Sequence, residues 1–188
     1  ELFLSNNSFR KIFILAGNQS FSLSGLKLFF NSKLKNKSIK YYFKKASFPE
    51  YFELVDIISA IKNFSPDLII AAGGGSVLDY AKIANAIDYE NDLDNRIIGS
   101  KYNLKNSKAK LLAIPTTAGS GAEVTSNAVI YVNKIKYSIE GKQVKPDFFF
   151  LIPDFVKGAS NKIKSSAGFD AIAQAIESLI SKKSNIES

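Results

Sequence analysis

The chain has 188 residues, 46% hydrophobic and 22% charged, which is typical of one or two globular domains and excludes a largely disordered chain. It contains no cysteine and no histidine, which excludes disulfides, thiol catalysis, a complete Ser-His-Asp triad and a metal site built from histidines within these residues. The net charge is +8, yet only Arg10 and Arg96 are arginines, and nucleic-acid recognition favours arginine, so we expect no nucleic-acid partner.

A milder use of the positive charge is to attract an anionic substrate or cofactor. No apolar run approaches the ~20 residues of a transmembrane helix, and residues 1–11 lack the pattern of a signal peptide. We therefore expect a cytoplasmic protein without a membrane partner. Methionine is absent even from position 1, so we also expect the chain to be a piece of a longer product.

Short apolar runs alternate with amphipathic segments along the chain, which predicts alternating strands and helices. In chain order the predicted elements are strand 11–16, helix 21–30, strand 38–43, helix 49–63, strand 68–72, helix 76–87, strand 110–114, strand 148–152 and helix 165–180. Residues 88–107 are polar and predict a loop, and 124–132 with 136–139 predict a hairpin around Asn133. The alternation predicts an α/β fold with a doubly wound parallel sheet.

The last predicted helix carries an apolar stripe, namely Phe169, Ile172, Ala173, Ile176 and Ile180. A helix with such a face buries it against further chain or leaves it exposed. If the stripe is left exposed, we expect the chain to aggregate or to associate obligately.

A glycine run follows the third predicted strand directly, as Gly73-Gly74-Gly75-Ser76. Glycines let the backbone approach a bulky anion, and the N–H groups that begin the next helix attract phosphate. The alternative is a tight strand–helix turn without a ligand. The run matches neither a P-loop nor the GxGxxG pattern. Asp79, in the first two turns of that helix, either complements the positive helix end or contacts a ribose hydroxyl or an amide.

Two further clusters carry polar side chains. Residues 115–125 (PTTAGSGAEVT) follow the fourth predicted strand, and the carboxyl ends of strands are where open α/β sheets bind ligands. The alternative is a polar linking loop. In the last helix Asp170 and Gln174 are four residues apart and share a face, where Asp170 is a candidate metal ligand and Gln174 a weak one. The spacing alone favours an ordinary polar edge beside the apolar stripe.

Taken together, the blocks resemble the iron-containing alcohol dehydrogenase family. The resembling text is GGGSVLDYAK at 73–82, PTTAGSGAEVTSNAVI at 115–130, KYSIEGKQVKPDFFFLIPD at 136–154 and GFDAIAQAIES at 168–178. The opening ILAGNQSFSLSG is similar as well, so the resemblance covers nearly the whole chain. It implies a dinucleotide-binding α/β domain over 1–160 and, over 161–188, the first helix of a truncated C-terminal helical domain for metal and substrate.

The resemblance also implies an activity and a set of binding residues. The activity is hydride transfer between NAD or NADP and a small alcohol or aldehyde, in a protein that is a homo-oligomer when full length. The implied cofactor-binding residues are Gly74, Gly75, Ser76 and Asp79 at the pyrophosphate, Thr116, Thr117 and Ser120 along the dinucleotide, Val129 nearby and Lys136 at a ribose. No catalytic residue is identified, and we expect these 188 residues alone to be inactive.

The chain departs from the family pattern at two positions. Gly17 stands where the family usually has an aspartate after the first strand. Losing that carboxylate removes a contact to the ribose 2′-hydroxyl and a repulsion against a 2′-phosphate, so we expect NADP(H) to be tolerated or preferred. Gln174 stands where the family has a histidine metal ligand after Asp170, and a neutral amide weakens binding of iron or zinc.

Gln174, the phrase KYSI at 136–139 and the tail at 184–188 are similar to the phosphonoacetaldehyde reductases of this family, which suggests an anionic aldehyde. Two alternatives remain open. One is a dehydroquinate synthase-like lyase on the same architecture, against which the block at 119–125 argues because it resembles the dehydrogenases. The other is an inactive nucleotide-binding fragment.

Overall fold

The computed structural model describes residues 8–34, 36–182 and 184–185. Its strands are β1 (Lys11–Gly17), β2 (Ser38–Lys44), β3 (Leu68–Gly73), β4 (Lys110–Pro115), β5 (Asn127–Val132), β6 (Ile135–Glu140) and β7 (Phe148–Phe149). Five of them form one parallel sheet in the order β2-β1-β3-β4-β7, and β5 pairs with β6 in a separate antiparallel ladder. The predicted α/β class with a parallel sheet is confirmed.

Seven α-helices lie within the described residues. They are α1 (Asn18–Leu23), α2 (Leu26–Lys33), α3 (Tyr51–Phe64), α4 (Gly75–Ala86), α5 (Leu93–Ile98), α6 (Pro153–Lys157) and α7 (Asn161–Ile180), with a short 3₁₀ helix at Lys142–Val144. The predicted single helix over 21–30 is wrong, because Gly25 adopts a φ of +84° and separates α1 from α2.

The central strands are continuous apolar runs because helices cover the sheet on both faces. Phe13 and Leu15 of β1 belong to the core formed with α3 and α4, whereas Ile12 and Ile14 belong to the core formed with α1 and α2. Successive side chains of a strand point to opposite faces, so one apolar run supplies both cores. The sheet is therefore doubly wound.

The prediction of an uninterrupted loop over 88–107 is wrong, because α5 lies within it. Asp92 just before the helix and Asp94 and Asn95 within it are residues that favour turns, so the sequence pattern does not show the helix. Leu93 and Ile97 are buried and hold the helix on the core. The strand predicted at 148–152 is only two residues long as β7, which pairs with Leu112 and Ala113 of β4.

The predicted hairpin is confirmed as β5 and β6. Asn133 and Lys134 form its two-residue turn, and both have positive φ, as the tight turns that match strand twist require. Ala128, Ile130 and Ile139 are buried in the core that contains α4, so the hairpin packs against the sheet domain.

Ser160 caps the start of helix α7, because its hydroxyl accepts a hydrogen bond from the Ile163 N–H. Its apolar side chains are exposed, with Phe169 at 73% and Ile180 at 77% relative exposure. Over the described stretches of chain, no helix has both the length and the apolar character to cross a membrane. The tail resemblance noted above extends over 186–188, which lie outside the described residues.

Candidate functional site

The two glycine-containing loops meet at the carboxyl ends of β3 and β4. The N–H of Thr116 donates to the Gly73 carbonyl at 2.9 Å, which continues the pairing of the strands into the loops. A Cβ at Gly74 would lie 3.4 Å from Thr117 Oγ1, and a Cβ at Gly75 would lie 2.9 Å from Ser120 Oγ. The missing side chains therefore allow two hydroxyls of one loop to approach the backbone of the other.

Gly73 has a separate packing role. A Cβ there would lie 2.6 Å from Val77 Cγ2, inside the turn by which β3 enters α4. The N–H groups of Val77 and Leu78 donate back to the Gly74 carbonyl, at 2.9 and 3.3 Å, and begin the helix. The glycine run thus forms the turn and also leaves the backbone beside it uncovered. The two interpretations of the sequence, a tight strand–helix turn and an anion-binding loop, are therefore compatible.

Two adjoining cavities form a groove across this edge of the sheet. The first has a volume of about 980 Å³ and reaches Gly17 at the end of β1; we call it the Gly17 cavity. The second has a volume of about 630 Å³ and reaches Asp79 on α4; we call it the Asp79 cavity. Ser76, Thr117 and Ile163 line both.

The groove collects every cofactor residue that the sequence analysis named. The Gly17 cavity is lined by Gly17, Gly74, Ser76, Thr116 and Thr117. The Asp79 cavity is lined by Gly75, Ser76, Asp79, Thr117, Ser120, Val129 and Lys136. Residues 119 positions apart in the chain, from Gly17 to Lys136, thus face one continuous groove. Leu23, Phe43 and Phe155 add apolar surface beside Gly17, of a kind on which a base can pack.

Asp79 is held close to positive groups in its cavity. Burial raises the pKa of Asp79 to about 6, although Lys82, the Val129 N–H and Lys136 favour its charged form. The carboxylate is therefore well placed to accept a hydrogen bond from a ligand hydroxyl or amide, since such a bond would replace lost solvation.

Lys82 is a functional residue whose role the sequence reasoning missed. It is almost completely buried, and its ammonium donates to the Ala122 carbonyl at 2.8 Å, to Thr125 Oγ1 at 2.9 Å and to the Asn127 carbonyl. Burial lowers its pKa to about 8, with Asp79 and Glu123 acting in the opposite direction. The side chain ties α4 to the loop over 116–126. The only sequence signal is a lysine on the apolar side of a helix.

Glu53 and Tyr80 form a second buried connection. The carboxylate of Glu53 accepts hydrogen bonds from the backbone N–H groups of Lys45 and Ala46, at 2.5 and 2.9 Å, and from the Tyr80 hydroxyl at 2.9 Å. The Tyr80 hydroxyl also accepts from the Glu50 N–H at 2.7 Å. In the β2–α3 loop, residues 45–50, the first three residues line the Gly17 cavity and Phe48 and Pro49 line the Asp79 cavity, so this pair fixes one wall of the groove.

Helix α7 closes another side of the groove through Gly119. A Cβ at Gly119 would lie 2.6 Å from the Ala167 carbonyl oxygen and 2.9 Å from its Cα. Helix and loop backbones are thus in direct contact, and Ile163 and Ser166 face the Asp79 cavity as a result.

The candidate metal donors lie on α7 and are exposed. Asp170 lines the Asp79 cavity, but Gln174 does not belong to either cavity. Within 8–34, 36–182 and 184–185 there is no group of three or more His, Cys, Asp or Glu side chains able to hold a metal ion. One carboxylate and one amide fall short of the three or four protein donors that iron and zinc sites use, so these residues alone do not fit a metal.

Comparison with known proteins agrees with this architecture. A sequence model described as "Iron-containing alcohol dehydrogenase" matches residues 2–153. The fold and the groove define a class of protein: a doubly wound α/β domain whose polar loops meet at the carboxyl ends of the strands. This chain belongs to the iron-containing alcohol dehydrogenase family.

Three proteins illustrate what the chain is similar to. An alcohol dehydrogenase from Thermococcus barophilus is 30% identical over 135 residues, which are 69% of this chain and 36% of that protein. An NADPH-dependent butanol dehydrogenase from Clostridium saccharobutylicum is 37% identical over 126 residues, 64% of this chain and 32% of that protein. The crystal structure of NADH-dependent butanol dehydrogenase A from Thermotoga maritima superposes with a TM-score of 0.86 at 24% identity, over 98% of this chain and 47% of that one. The chain thus spans less than half of each of these proteins.

Proposed function

We propose that this chain is the nucleotide-binding part of an NAD(P)-dependent alcohol dehydrogenase or aldehyde reductase. The observation that carries the proposal is the contact of Gly74 and Gly75 with Thr117 and Ser120 in a groove at the carboxyl ends of parallel strands. A backbone without side chains, with hydroxyl groups close to it, suits a pyrophosphate. A pyrophosphate needs the backbone to approach it closely and needs several hydrogen-bond donors.

Each part of the groove has a proposed role. Gly74, Gly75 and Ser76 would hold the pyrophosphate at the start of α4, and Thr116, Thr117 and Ser120 would line the dinucleotide from the opposite loop. Asp79 would accept a hydrogen bond from a ribose or amide group, and Lys136 would donate to a ribose, with Val129 packing beside them. The Gly17 cavity would take the adenosine end.

A bound nicotinamide dinucleotide supplies the carbon that gives or takes the hydride. The chain's own residues bind and orient that cofactor, and the Lys82 and Glu53 connections keep the loops of the groove in place. Asp170 and Gln174 would offer two oxygen donors to a divalent iron or zinc ion, which is too few, so we assign no catalytic step to a metal.

The proposed substrate is a small alcohol or aldehyde, in keeping with the names of the relatives that match. The charge of +8 favours an anionic substrate, and phosphonoacetaldehyde is the specific candidate that the Gln174 position suggests. Homo-oligomerisation of the full-length protein remains a prediction.

The experiment is a calorimetric titration of the purified chain with NAD⁺ and NADP⁺, with Gly75→Val as the disruptive variant and Gly168→Ala as its control. A Cβ at Gly75 meets Ser120, whereas a Cβ at Gly168 meets nothing within 4 Å. The proposal expects binding that Gly75→Val abolishes and Gly168→Ala preserves. Absence of binding to both dinucleotides would contradict it and favour an inactive fragment.

A further inference from the structure

The positive charge of the chain is concentrated in one stretch. Residues 2–49 contain nine basic residues and no acidic one, whereas the other residues contain 16 basic and 17 acidic ones. The net charge of +8 therefore belongs to this stretch, and the rest of the chain is close to neutral. A charge asymmetry of this kind indicates a surface that attracts an oppositely charged partner.

The basic stretch supplies the one long edge of the sheet. It folds into β1, α1, α2 and β2, and β2 is an end strand with no other strand of the described residues on its outer side. With seven residues, β2 offers about 23 Å of edge, at about 3.3 Å per residue. The opposite end strand, β7, has only two residues. An extended partner therefore finds a full edge only at β2.

Alternate residues of β2 direct their backbone groups to this open edge. The Ser38 N–H donates to the Arg10 carbonyl at 2.9 Å, and β2 continues from there in parallel register with β1. In such a ladder every second residue bonds to the same neighbour, so Ile39, Tyr41 and Phe43 direct their N–H and C=O groups away from β1. Unpaired backbone groups of this kind bind an added strand, as in the recognition of extended peptides.

The two faces of the edge differ in the side chains that they offer. On one face the rings of Tyr41 and Phe43 stack with centroids 6.0 Å apart, beside Phe21 of α1, and each is 37% exposed. On the other face β2 has Lys40 and Lys44. An added strand alternates its own side chains in the same way. Its apolar residues would lie beside the rings, and acidic residues would lie beside the lysines.

Lys40 is the cation of this edge that is available to a partner. It is half-buried, and within the described stretches its ammonium forms no hydrogen bond or ion pair. The Lys44 ammonium is instead bonded to carbonyls of the β2–α3 loop. Burial raises the pKa of Tyr42 to about 12, with Glu53 and Asp56 adding to the shift, so these carboxylates of α3 lie near the same face. Asp56 is exposed and would therefore repel an acidic partner.

We propose that the open edge of β2 binds an extended segment of another protein in which acidic residues alternate with apolar ones. A second copy of this chain does not fit, because pairing β2 with β2 would bring two positive edges together, and lysines on edge strands prevent such association. Lys40 and Tyr41 line neither cavity of the groove, so the inference goes beyond dinucleotide binding and does not depend on it.

The test is a fluorescence anisotropy titration of a labelled ten-residue peptide of alternating Glu and Val, with a peptide of alternating Gln and Val as its neutral match. We expect the acidic peptide to bind about tenfold more tightly, because several carboxylates meet the basic edge. Lys40→Gln should weaken its binding about threefold, and Asp56→Asn should strengthen it. Lys101→Gln, an equal change of charge at an exposed site outside 2–49, should leave it unchanged. Equal binding of the two peptides overturns the proposal.

Two N-methylated forms of the acidic peptide separate strand pairing from ionic attraction. Methyl groups on the Val amides block one edge of the peptide strand, and methyl groups on the Glu amides block the other. Pairing with β2 predicts that one form loses binding and the other keeps it. Equal affinity of the two forms overturns the addition of a strand.

The outcomes also separate this inference from the proposed function. Gly75→Val should lose dinucleotide binding and keep the affinity for the acidic peptide. A chain that binds NAD⁺ or NADP⁺ but not the acidic peptide overturns this inference and leaves the proposed function standing. Binding to vesicles of phosphatidylcholine and phosphatidylserine that Lys40→Gln weakens, without binding of the peptide, overturns it as well and assigns the edge to an anionic lipid surface.

Discussion

The Tyr80 hydroxyl lies 2.9 Å from Glu53 Oε2 and joins α4, which begins at the glycine run, to α3, which begins at the β2–α3 loop. Both side chains are buried. The Lys45 N–H donates to the other carboxylate oxygen, Oε1, and the Ala46 N–H donates to Oε2 beside the Tyr80 hydroxyl. Two walls of the groove are thus coupled through one buried hydrogen bond.

Tyr80→Phe should therefore weaken both the fold and the site. Removing the hydroxyl leaves the Glu53 carboxylate and the Glu50 N–H each short of a partner, and a buried polar group without a partner costs about 1–3 kcal/mol. Urea denaturation measures the loss in free energy of unfolding. Tyr137→Phe, on the β5–β6 hairpin, is the control; an equal loss in both variants would contradict the coupling.

Lys82→Met should destabilise the loop over 116–126 more than the rest of the chain. Three oxygen acceptors lose their shared donor, so we expect a loss of about 2–3 kcal/mol and weaker dinucleotide binding. Hydrogen exchange of the loop amides measures the local effect. Unchanged exchange over 116–126 would show that Lys82 does not hold the loop.

Lys82 also predicts a pH dependence of stability. Its folded pKa is about 8 against an ordinary 10.5, so between these values the unfolded chain binds a proton that the folded chain has lost. Stability should therefore rise with pH from about 8 to 10.5 in the wild type relative to Lys82→Met. Denaturation curves of both proteins across that range measure the difference; parallel pH profiles would contradict the burial of the charge.

Asp79→Asn tests a pH dependence of stability that has the opposite sign. Burial raises the pKa of Asp79 to about 6 from 3.8, so the folded chain binds the extra proton and stability falls as pH rises through this window. The variant should be more stable than the wild type at pH 7 by about 1–2 kcal/mol, and equal to it near pH 4. Its dinucleotide affinity should nevertheless fall, because a ligand hydroxyl or amide loses its acceptor. Greater stability together with unchanged affinity would remove Asp79 from the site.

The sequence predicted much of the fold because its strands are continuous apolar runs and its long helices are amphipathic. It failed where short elements depend on tertiary contacts: α5, whose Asp and Asn residues favour turns, and the break at Gly25 between α1 and α2. Helix α5 is stabilised by the packing of Leu93 and Ile97 on the core, and no local sequence pattern predicts that packing.

The candidate site was predicted where glycines and hydroxyl residues follow strands, because parallel strands bring their carboxyl ends to one edge. The supporting residues were not predicted in these roles. Lys82 and Glu53 have helical positions like those of core residues, and only the folded chain brings each to its partners 40 and 8 residues away. Their roles depend on contacts between helices, strands and loops, and no local sequence pattern predicts those contacts.

The central claim is that the groove between the two glycine loops binds the dinucleotide, and hydrogen exchange of the chain with and without NADP⁺ tests it most directly. The account predicts slower exchange at the amides of 73–79 and 116–120 and in the β2–α3 loop, with no change at the opposite edge of the sheet around Asp88 and Lys108. Protection confined to that opposite edge, or no protection while NADP⁺ binds, would contradict it.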